Sequence, residues 1–278
     1  FKKFKNEKIT HVIMEVSSIG ICEKRINGIK YDFGIFTNLS EDHLDYHKNM
    51  ANYLEAKLKF LKYLNGTIIL NNDDNASYYF KKKAKHYQTI GKNGTIKINN
   101  YSLYQTYSIV NFEYKYNHYT VAIPFVGKHN IYNYLMALLL LNNMGYDFIS
   151  LINYTNVLLP VKGRNELIKT KNAFIVIDYA HNPKSVEETL KTYNELKKAR
   201  IITIIGCGGN RDKIKRPIMG KIACDKSDYV IFTSDNPRDE NPKDIIKDII
   251  SKLNNKNFSI IENREQAIKK GIKMLREN

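Results

Sequence analysis

Short apolar runs alternate with helical patterns through the C-terminal part of the chain. The predicted strands lie at 173–178, 201–206, 229–233 and 258–261. The predicted helices begin near the capping-box pattern Ser185-Val186-Glu187-Glu188 and near Pro217, Pro242 and Arg264. Strands that are apolar on both faces and alternate with helices are typical of a parallel sheet covered on both sides. The pattern therefore predicts an α/β domain built on a parallel sheet.

The N-terminal part has a less regular pattern of polar and apolar positions. Buried strands are predicted at 11–16, 33–39, 67–71 and 88–90, and helices at 52–64 and 130–144. Between 96 and 125, tyrosines and aliphatic residues alternate with polar ones, which is typical of antiparallel strands. We therefore expect a mixed sheet. The change in composition after Leu158-Leu159-Pro160 predicts one domain at 1–160 and another at 161–278.

The size and composition are compatible with two globular domains. With 278 residues, 43% of them hydrophobic, the chain is long enough for two separate cores. No stretch approaches the roughly 20 apolar residues that span a bilayer, so no membrane association is expected. The three cysteines, Cys22, Cys207 and Cys224, are too scattered for a disulfide framework or a zinc site. These features favour a cytoplasmic protein.

The formal net charge of +16 raises the question of nucleic-acid binding. A nucleic-acid surface needs clustered lysine and arginine side chains, which release counterions from the phosphate backbone. Here the lysines are spread over every predicted helix and loop. The distribution therefore argues against a nucleic-acid partner and favours attraction of small anions such as nucleotides.

Three polar clusters follow predicted strands of the C-terminal part. They lie at 178–182, 206–211 and 235–238. Because the carboxyl ends of parallel strands meet at one sheet edge, where such folds bind ligands, we expect the clusters to form one site. The last cluster, Asp235-Asn236-Pro237-Arg238, combines a carboxylate, an amide, a rigid proline and a guanidinium. It fits either a pocket for a zwitterion or a solvated turn that closes the strand.

Two further clusters follow predicted strands of the N-terminal part. Glu15 and Ser17 come at the end of the first strand, and His43 lies in an acidic loop after the second. Mg²⁺ prefers oxygen ligands and keeps several waters, so Glu15, one imidazole and phosphate oxygens form a plausible set. For His43 considered alone, a loop histidine without a ligand is the alternative.

Taken together, these segments resemble the Mur ligase family, the ATP-dependent enzymes that add amino acids to the peptidoglycan precursor. The resemblance implies a central mixed-sheet domain of ATPase type followed by a Rossmann-like C-terminal domain. The matching segments occur in order: 14–18, 37–47, Tyr53 with Lys57, 127–130 with Asn133, Gly163-Arg164, 178–183, 206–217 and 235–238.

The resemblance also implies roles for single residues. Glu15 and His43 would hold Mg²⁺, and Lys57 would be carbamylated to give a further anionic metal ligand, oriented by Tyr53. The residues expected around ATP are Asn130, Asn133, Arg164, Asp178, His181 and Asn182. The positions expected to contact the UDP-muramoyl peptide are Ser17, Glu23 and Arg25, although Glu23 stands where many relatives carry glutamine.

For the incoming amino acid, the resemblance points to Arg211 and to Asp235, Asn236, Pro237 and Arg238. Members with this loop are those expected to add meso-diaminopimelate to UDP-N-acetylmuramoyl-L-alanyl-D-glutamate through an acyl phosphate. We expect the enzyme to be a monomer. The alternatives are a lysine-adding sibling, a folylpolyglutamate synthase-like ligase, and a noncatalytic scaffold or nucleic-acid-associated descendant.

Two motifs of the family do not occur in this sequence. One is the glycine-rich P-loop that ends in Gly-Lys-Thr, and the other is a segment of the Gly-Lys-Gly-His-Glu type. The P-loop supplies the backbone cradle and the lysine for the β- and γ-phosphates. We therefore expect these 278 residues to be an interior piece of a longer ligase that does not turn over ATP by itself.

Overall fold

The computed structural model describes residues 2–170, 173–254 and 257–275. We call 2–160 the N-terminal region and 161–275 the C-terminal region. The six strands of the N-terminal region form one sheet in sequence order: β1 (Tyr31–Phe36), β2 (Leu64–Asn71), β3 (Tyr87–Gly91), β4 (Ile96–Leu103), β5 (Ser108–Tyr114) and β6 (Asn117–Ile123). Strands β1 to β4 pair in parallel, whereas β4, β5 and β6 pair antiparallel. The predicted mixed sheet is confirmed.

Both faces of this sheet are covered by helices. The helices of the N-terminal region are α1 (Lys2–Asn6), α2 (Ser18–Cys22), α3 (Leu44–His47), α4 (Met50–Leu58), α5 (Ser77–Lys83), α6 (Lys128–Asn143) and α7 (Phe148–Asn153), with 3₁₀ helices at Lys59–Tyr63 and Tyr154–Val157. In β2, Ile69 joins the core under α6, and Ile68 and Leu70 join the core under α4 and α5. This alternation follows from the two-residue period of a strand.

The predicted strand at 11–16 is not a strand in the structure. Residues 9–17 have no regular secondary structure, and Ile13 is fully exposed. Among the described strands, β1 lies at the sheet edge and pairs with β2 alone. An apolar run becomes a stable strand only when a neighbour satisfies its backbone groups, and no described strand pairs with this run.

The predicted helix at 52–64 is shorter and begins earlier. Helix α4 begins at Met50, because the Asn49 side chain accepts a hydrogen bond from the Asn52 amide at 2.9 Å. It ends at Leu58, and the chain continues as a 3₁₀ helix to Tyr63. Strand β2 begins at the next residue, so the tighter 3₁₀ turn brings the chain directly into the sheet.

The C-terminal region contains a hairpin and a parallel sheet. The hairpin is β7 (Glu166–Lys169) with β8 (Phe174–Ile177), and the sheet has the order β11 (Phe258–Ile260), β10 (Tyr229–Phe232), β9 (Ile202–Ile205). Helices α8 (Pro183–Leu196), α9 (Lys215–Lys226), α10 (Pro242–Ile250) and α11 (Arg264–Lys273) alternate with the strands. The predicted parallel α/β arrangement is confirmed for β9, β10 and β11.

Strand β8 departs from the prediction. We expected the run at 173–178 to join the parallel sheet, but β8 pairs antiparallel with β7, a strand that the sequence pattern did not predict. Antiparallel neighbours need only a short connection, whereas a parallel pair needs a crossover of a dozen or more residues. The cluster after β8 is therefore not at the edge of the parallel sheet.

Two helix starts in this region also differ from the prediction. Helix α8 is capped by Asn182, which accepts from the Ser185 amide at 2.9 Å and donates its own amide to Ser185 Oγ at 3.2 Å. The capping box therefore joins Asn182 and Ser185, and not Ser185 and Glu188. Helix α9 begins at Lys215, two residues before Pro217. Asn182 stabilises a helix terminus in addition to any role in a site.

None of the helices that the structure describes combines the length and the apolar character needed to cross a bilayer.

Truncation of one core aromatic tests the packing of the mixed sheet. Phe112 is fully buried, and its ring centroid lies 5.3 Å from that of Tyr119. We expect Phe112→Ala to lower the free energy of unfolding by about 3–5 kcal/mol, because it removes buried apolar area and leaves a cavity. Tyr116, which is 95% exposed in the turn between β5 and β6, gives the control: Tyr116→Ala should change the free energy of unfolding by less than about 0.5 kcal/mol. Equal effects in urea unfolding would contradict this packing.

Candidate active site

Two of the predicted polar clusters meet at the edge of the parallel sheet. The loop at 206–211 follows β9, and the loop at 235–238 follows β10. The Gly209 amide donates to the Asn236 carbonyl at 2.8 Å, and the Arg238 guanidinium donates to the Gly209 carbonyl. The structure therefore brings these loops together as the sequence predicted.

The third cluster, at 178–182, contacts a buried carboxylate of the N-terminal region. Asp42 Oδ2 lies 3.5 Å from His181 Nε2 and accepts from Asn182 Nδ2 at 3.3 Å. Its other oxygen, Oδ1, lies 3.4 Å from Lys215 Nζ at the start of α9. The Asp42 and Lys215 side chains are each 11% exposed. One side chain thus joins the loop before α8 and the start of α9 to the N-terminal region.

Electrostatics keep Asp42 ionised. Burial favours the neutral acid, but the hydrogen bond with His181 and the nearby charges of Lys215 and His43 hold the pKa of Asp42 well below its usual range. The hydrogen bond with Asp42 in turn raises the pKa of His181. The contact between the two regions is therefore an ion pair under mildly acidic conditions.

Lys57 differs from the other lysines of its segment. Its Nζ lies 5.0 Å from the ring centroid of Tyr53, one helical turn earlier on α4, and burial lowers the pKa of Lys57. Lys59 and Lys62 are exposed. Tyr53 is 7% exposed, and burial raises its pKa to about 12. The local sequence did not separate these three lysines, whereas the structure does.

A buried histidine links the Tyr53 ring to the start of α2. His47 stacks on Tyr53 with ring centroids 5.0 Å apart, and its Nε2 lies 2.8 Å from Ser18 Oγ. Burial lowers the pKa of His47. The adjacent Ser17 caps α2 by accepting from the Gly20 amide at 3.0 Å. Neither His47 nor Asp42 was assigned from the sequence, although both lie within the matching segment 37–47.

The other two expected metal ligands, Glu15 and His43, lie near this group. Glu15 is exposed, and its negative charge is close enough to favour the protonated form of Lys57. The rings of His43 and Tyr53 are in an edge-to-face contact, with their centroids 6.2 Å apart. Among the described residues there is no group of three or more histidine, cysteine or acidic side chains that could hold a metal ion. A cation here would need oxygen atoms from phosphate, water or a modified lysine to complete its shell.

Two of the expected nucleotide residues, Asn130 and Asp178, are connected where α6 meets the start of the C-terminal region. The Val126 carbonyl accepts from Asn130 Nδ2 at 2.8 Å and from Asn165 Nδ2 at 2.9 Å. The Asn165 amide donates to Asp178 Oδ2 at 2.8 Å. Asn130 and Asp178 are therefore linked through Val126 and Asn165, although they lie far apart in the sequence.

Two other expected nucleotide residues remain accessible. The Arg164 guanidinium lies 4.3 Å from the ring centroid of Tyr179, which is a cation–π contact. Asn133 is exposed on the first turns of α6. The polar ends of both side chains can still reach a ligand.

The residues expected to contact the nucleotide sugar surround helix α2. Ser17 is its N-cap and Glu23 its C-cap. Arg25 pairs with Glu23, and both side chains are solvent-exposed, at 66% and 41%. The structure thus brings the three residues to one short helix, next to the Ser18–His47 contact.

An open cavity of about 680 Å³ lies beside the loop at 235–238. It is lined by Asp235 and by residues at the end of β11 and the start of α11, among them Arg264. Arg264 Nη1 lies 3.8 Å from Asp235 Oδ1 and donates to the Ser234 carbonyl at 3.1 Å. The sequence analysis did not single out Arg264. Arg211 is exposed and is not among the residues that line this cavity.

A mixed-sheet domain is thus joined to a parallel α/β domain, and polar loops of the two domains meet at their contact, which defines a two-domain α/β protein. The family model described as the Mur ligase middle domain matches residues 1–141, and the one described as Mur ligase, glutamate ligase domain matches residues 163–278. The chain therefore belongs to the Mur ligase family.

Individual relatives agree with this assignment. The chain is 39% identical over its whole length to a Clostridium acetobutylicum protein named UDP-N-acetylmuramoyl-L-alanyl-D-glutamate--2,6-diaminopimelate ligase 1, and it spans 59% of that protein. A solved structure of a ligase with the corresponding name is 29% identical, with a TM-score of 0.61, over 94% of this chain and 56% of the other. Mycobacterium tuberculosis folylpolyglutamate synthase complexed with ADP and AMPPCP has a TM-score of 0.73, over 87% of this chain and 57% of the other, at 15% identity, which shows the fold alone.

The His181–Asp42 pair predicts a pH-dependent stability. The raised pKa of His181 means that its contribution is complete below its unfolded pKa of about 6.5 and is lost as the pH rises through the folded value. The lowered pKa of Asp42 means that its contribution is complete above about pH 4 and is lost as the pH falls further. The pair is therefore strongest between about pH 4 and 6.5.

We expect His181→Ala to lower the free energy of unfolding at pH 5.5 but hardly at pH 8.5. Because the His181 side chain is 56% exposed, solvent screening limits the loss to at most about 1 kcal/mol. Urea unfolding of both proteins at the two pH values measures the difference. His86→Ala, which changes another exposed histidine, is the control. A loss for His181→Ala that is equal at the two pH values would contradict the ion pair.

Proposed function

We propose that this chain contributes the central and C-terminal domains of an ATP-dependent ligase that joins meso-diaminopimelate to UDP-N-acetylmuramoyl-L-alanyl-D-glutamate. The observation that carries the proposal is the contact between the Arg211 and Arg238 loops, in a chain 39% identical to a relative named for this reaction. The chain spans about 59% of the length of such relatives. We also propose domain limits of 1–160 and 161–278 and a cytoplasmic monomer.

The proposed reaction has two chemical steps. A carboxylate oxygen of the growing peptide attacks the γ-phosphorus of ATP, which releases ADP and forms an acyl phosphate. The amine nitrogen of the incoming amino acid then attacks the carbonyl carbon, loses a proton, and expels inorganic phosphate. Such transfers depend mainly on positioned charges that stabilise the negative oxygens. The net charge of +16 and the cationic side chains at the domain contact suit these anions.

On the phosphate side, we propose that Glu15, His43 and Lys57 as a carbamate hold Mg²⁺. This cation would neutralise phosphate oxygens, and oxygen donors are the ligands it prefers. The burial that lowers the pKa of Lys57 supports the modification, because the neutral amine is the form that reacts with carbon dioxide. Tyr53 lies against Lys57 and limits the positions that its Nζ can take.

For the nucleotide, we propose contacts from Asn130, Asn133, Arg164, Asp178, His181 and Asn182. The hydrogen bonds that link Asn130 and Asp178 through Val126 and Asn165 support this set. Neighbours of the same fold that bind ADP or AMPPCP support the use of ATP. For the nucleotide sugar, we propose Ser17, Glu23 and Arg25, which surround one short helix.

For the amino acid, we propose the loop Asp235-Asn236-Pro237-Arg238 together with Arg211. meso-Diaminopimelate differs from lysine by a second carboxylate, which a guanidinium can hold with two hydrogen bonds. Arg238 donates to a loop carbonyl in this structure and remains exposed, so its other nitrogens can reach a ligand. Lysine lacks the second carboxylate, so it would leave this arginine without that partner.

We expect Arg238→Ala to abolish the preference for meso-diaminopimelate. In a full-length enzyme that carries this chain, kcat/KM for meso-diaminopimelate should fall by about 100-fold, because a charged hydrogen-bond partner is lost. The value for lysine should change much less. Arg200→Ala, at an exposed arginine that contacts the Met274 carbonyl, is the matched control. An unchanged ratio between the two amino acids would contradict the assignment.

The proposed carbamate can be observed without turnover. We expect the 278-residue chain, equilibrated with ¹³C-labelled bicarbonate, to show one carbamate carbon resonance that Lys57→Arg removes. The burial that lowers the pKa of Lys57 sets it apart from its exposed neighbour, so Lys59→Arg should keep the resonance. A resonance that persists in Lys57→Arg would mean that another amine is modified. If the protein with the unmodified sequence shows no carbamate resonance, Lys57 is not a metal ligand.

A further inference from the structure

Arg216 is a fully buried arginine outside the set of expected site residues. Its side chain is 1% exposed, so it cannot contact a ligand directly. Its Nη1 donates to Glu240 Oε2 at 2.9 Å and to Asp248 Oδ2 at 2.8 Å, and its Nη2 donates to Glu240 Oε1 at 2.8 Å and to the Gly208 carbonyl at 3.4 Å. The guanidinium therefore connects α9 and α10 with the loops that follow β9 and β10.

Glu240 is shared between the two loops. It lies two residues after Arg238, in the loop that follows β10, and its Oε1 also accepts from the Asn210 amide of the other loop at 2.5 Å. The hydrogen bonds from Arg216 and Asn210 lower the pKa of Glu240 to about 2, so the carboxylate is ionised at neutral pH. One buried cation and one carboxylate thus fix the 206–211 loop to the loop that carries Arg238.

The loops need such a restraint because their backbones are unusual. Asn210 has φ of 50° and Arg238 has φ of 48°. This left-handed conformation is uncommon for residues other than glycine, and an arginine adopts it less readily than an asparagine does. A Cβ atom at Gly209 would collide with the Pro237 carbonyl, so the two chains are in very close contact. Such conformations persist only where surrounding contacts determine them.

A buried arginine paired with a partly exposed carboxylate is not the arrangement that stability alone would favour. Arg216 Nε has no hydrogen-bond partner among the described residues, and an unpaired buried donor is unfavourable. Replacing a buried ion pair by apolar residues of similar size is often neutral or stabilising. The charges therefore suggest a requirement for defined loop geometry.

We propose that Arg216 and Glu240 are positioning residues that set the spacing between the Arg211 and Arg238 loops and thereby the selection of the dicarboxylic amino acid. This inference rests on the proposed function. Neither side chain touches the substrate. Their effect is transmitted through Asn210 and Gly208 on one loop, and through the backbone between Arg238 and Glu240 on the other.

The test uses Glu240→Ala, Glu240→Gln and the double variant Arg216→Met/Glu240→Met in a full-length enzyme that carries this chain. We expect Glu240→Ala to raise the KM for meso-diaminopimelate at least about tenfold while the KM for ATP stays within about twofold, because only the amino-acid loops are released. Glu240→Gln keeps an acceptor for the Asn210 amide and should have a smaller effect. The peptide covering 206–211 should exchange its amide hydrogens faster in Glu240→Ala.

The double variant separates positioning from stability. It removes the buried charge of Arg216 together with its partly exposed partner. Its melting temperature should therefore lie closer to that of the unmodified enzyme than the melting temperature of Glu240→Ala does, while the KM for meso-diaminopimelate stays high. The control is Glu187→Ala, which breaks an exposed ion pair with Lys226 on helices of the same region and should change neither quantity. Recovery of both quantities in the double variant would overturn the inference.

An unchanged KM and unchanged exchange of 206–211 in Glu240→Ala would overturn it as well. The exchange measurement also distinguishes this failure from failure of the proposed function. If the unmodified enzyme does not ligate meso-diaminopimelate, the proposed substrate is wrong, and the exchange rates alone decide whether Glu240 holds the loop.

Discussion

The candidate site depends on the buried carboxylate of Asp42. A buried charge is unfavourable unless it is paired. Asp42 Oδ1 accepts from the His43 amide of its own region at 3.0 Å, but its charged partners, His181 and Lys215, come from the loop before α8 and from the start of α9. The N-terminal region therefore cannot satisfy this group alone. This contact joins the part of the N-terminal region that carries His43 and Lys57 to the C-terminal loops. Neither region could form this arrangement by itself.

Burial also gives ordinary side chains unequal chemistry. Lys57, Lys59 and Lys62 lie within six positions of one another. Lys57 packs against Tyr53 and has its pKa lowered by burial, whereas Lys59 and Lys62 are exposed. Arg211 and Arg216 are both arginines of the segment that follows β9, yet the first is exposed and the second is almost completely buried. The first can bind a ligand, whereas the second can act only through the loops that it holds.

Much of the site could be predicted because its motifs are local. The loops at 206–211 and 235–238 follow apolar strands, and the edge rule for parallel sheets brought them together correctly. The same rule was wrong for the 178–182 cluster, because β8 pairs with β7 in a hairpin. Its connection to the site comes from Asp42 in the other region, a contact that no local pattern encodes.

The sequence by itself determined the family, the alternation of strands and helices in the C-terminal region, and the residue types available at each loop. Periodicity and motif spacing are properties of neighbouring positions, so one sequence is enough to find them. Only the tertiary structure decided that 11–16 is not a strand, that Lys57 is more buried than Lys59 and Lys62, and that Arg216 joins two loops. These depend on desolvation and on partners distant in the chain, which exist only once the regions are packed together.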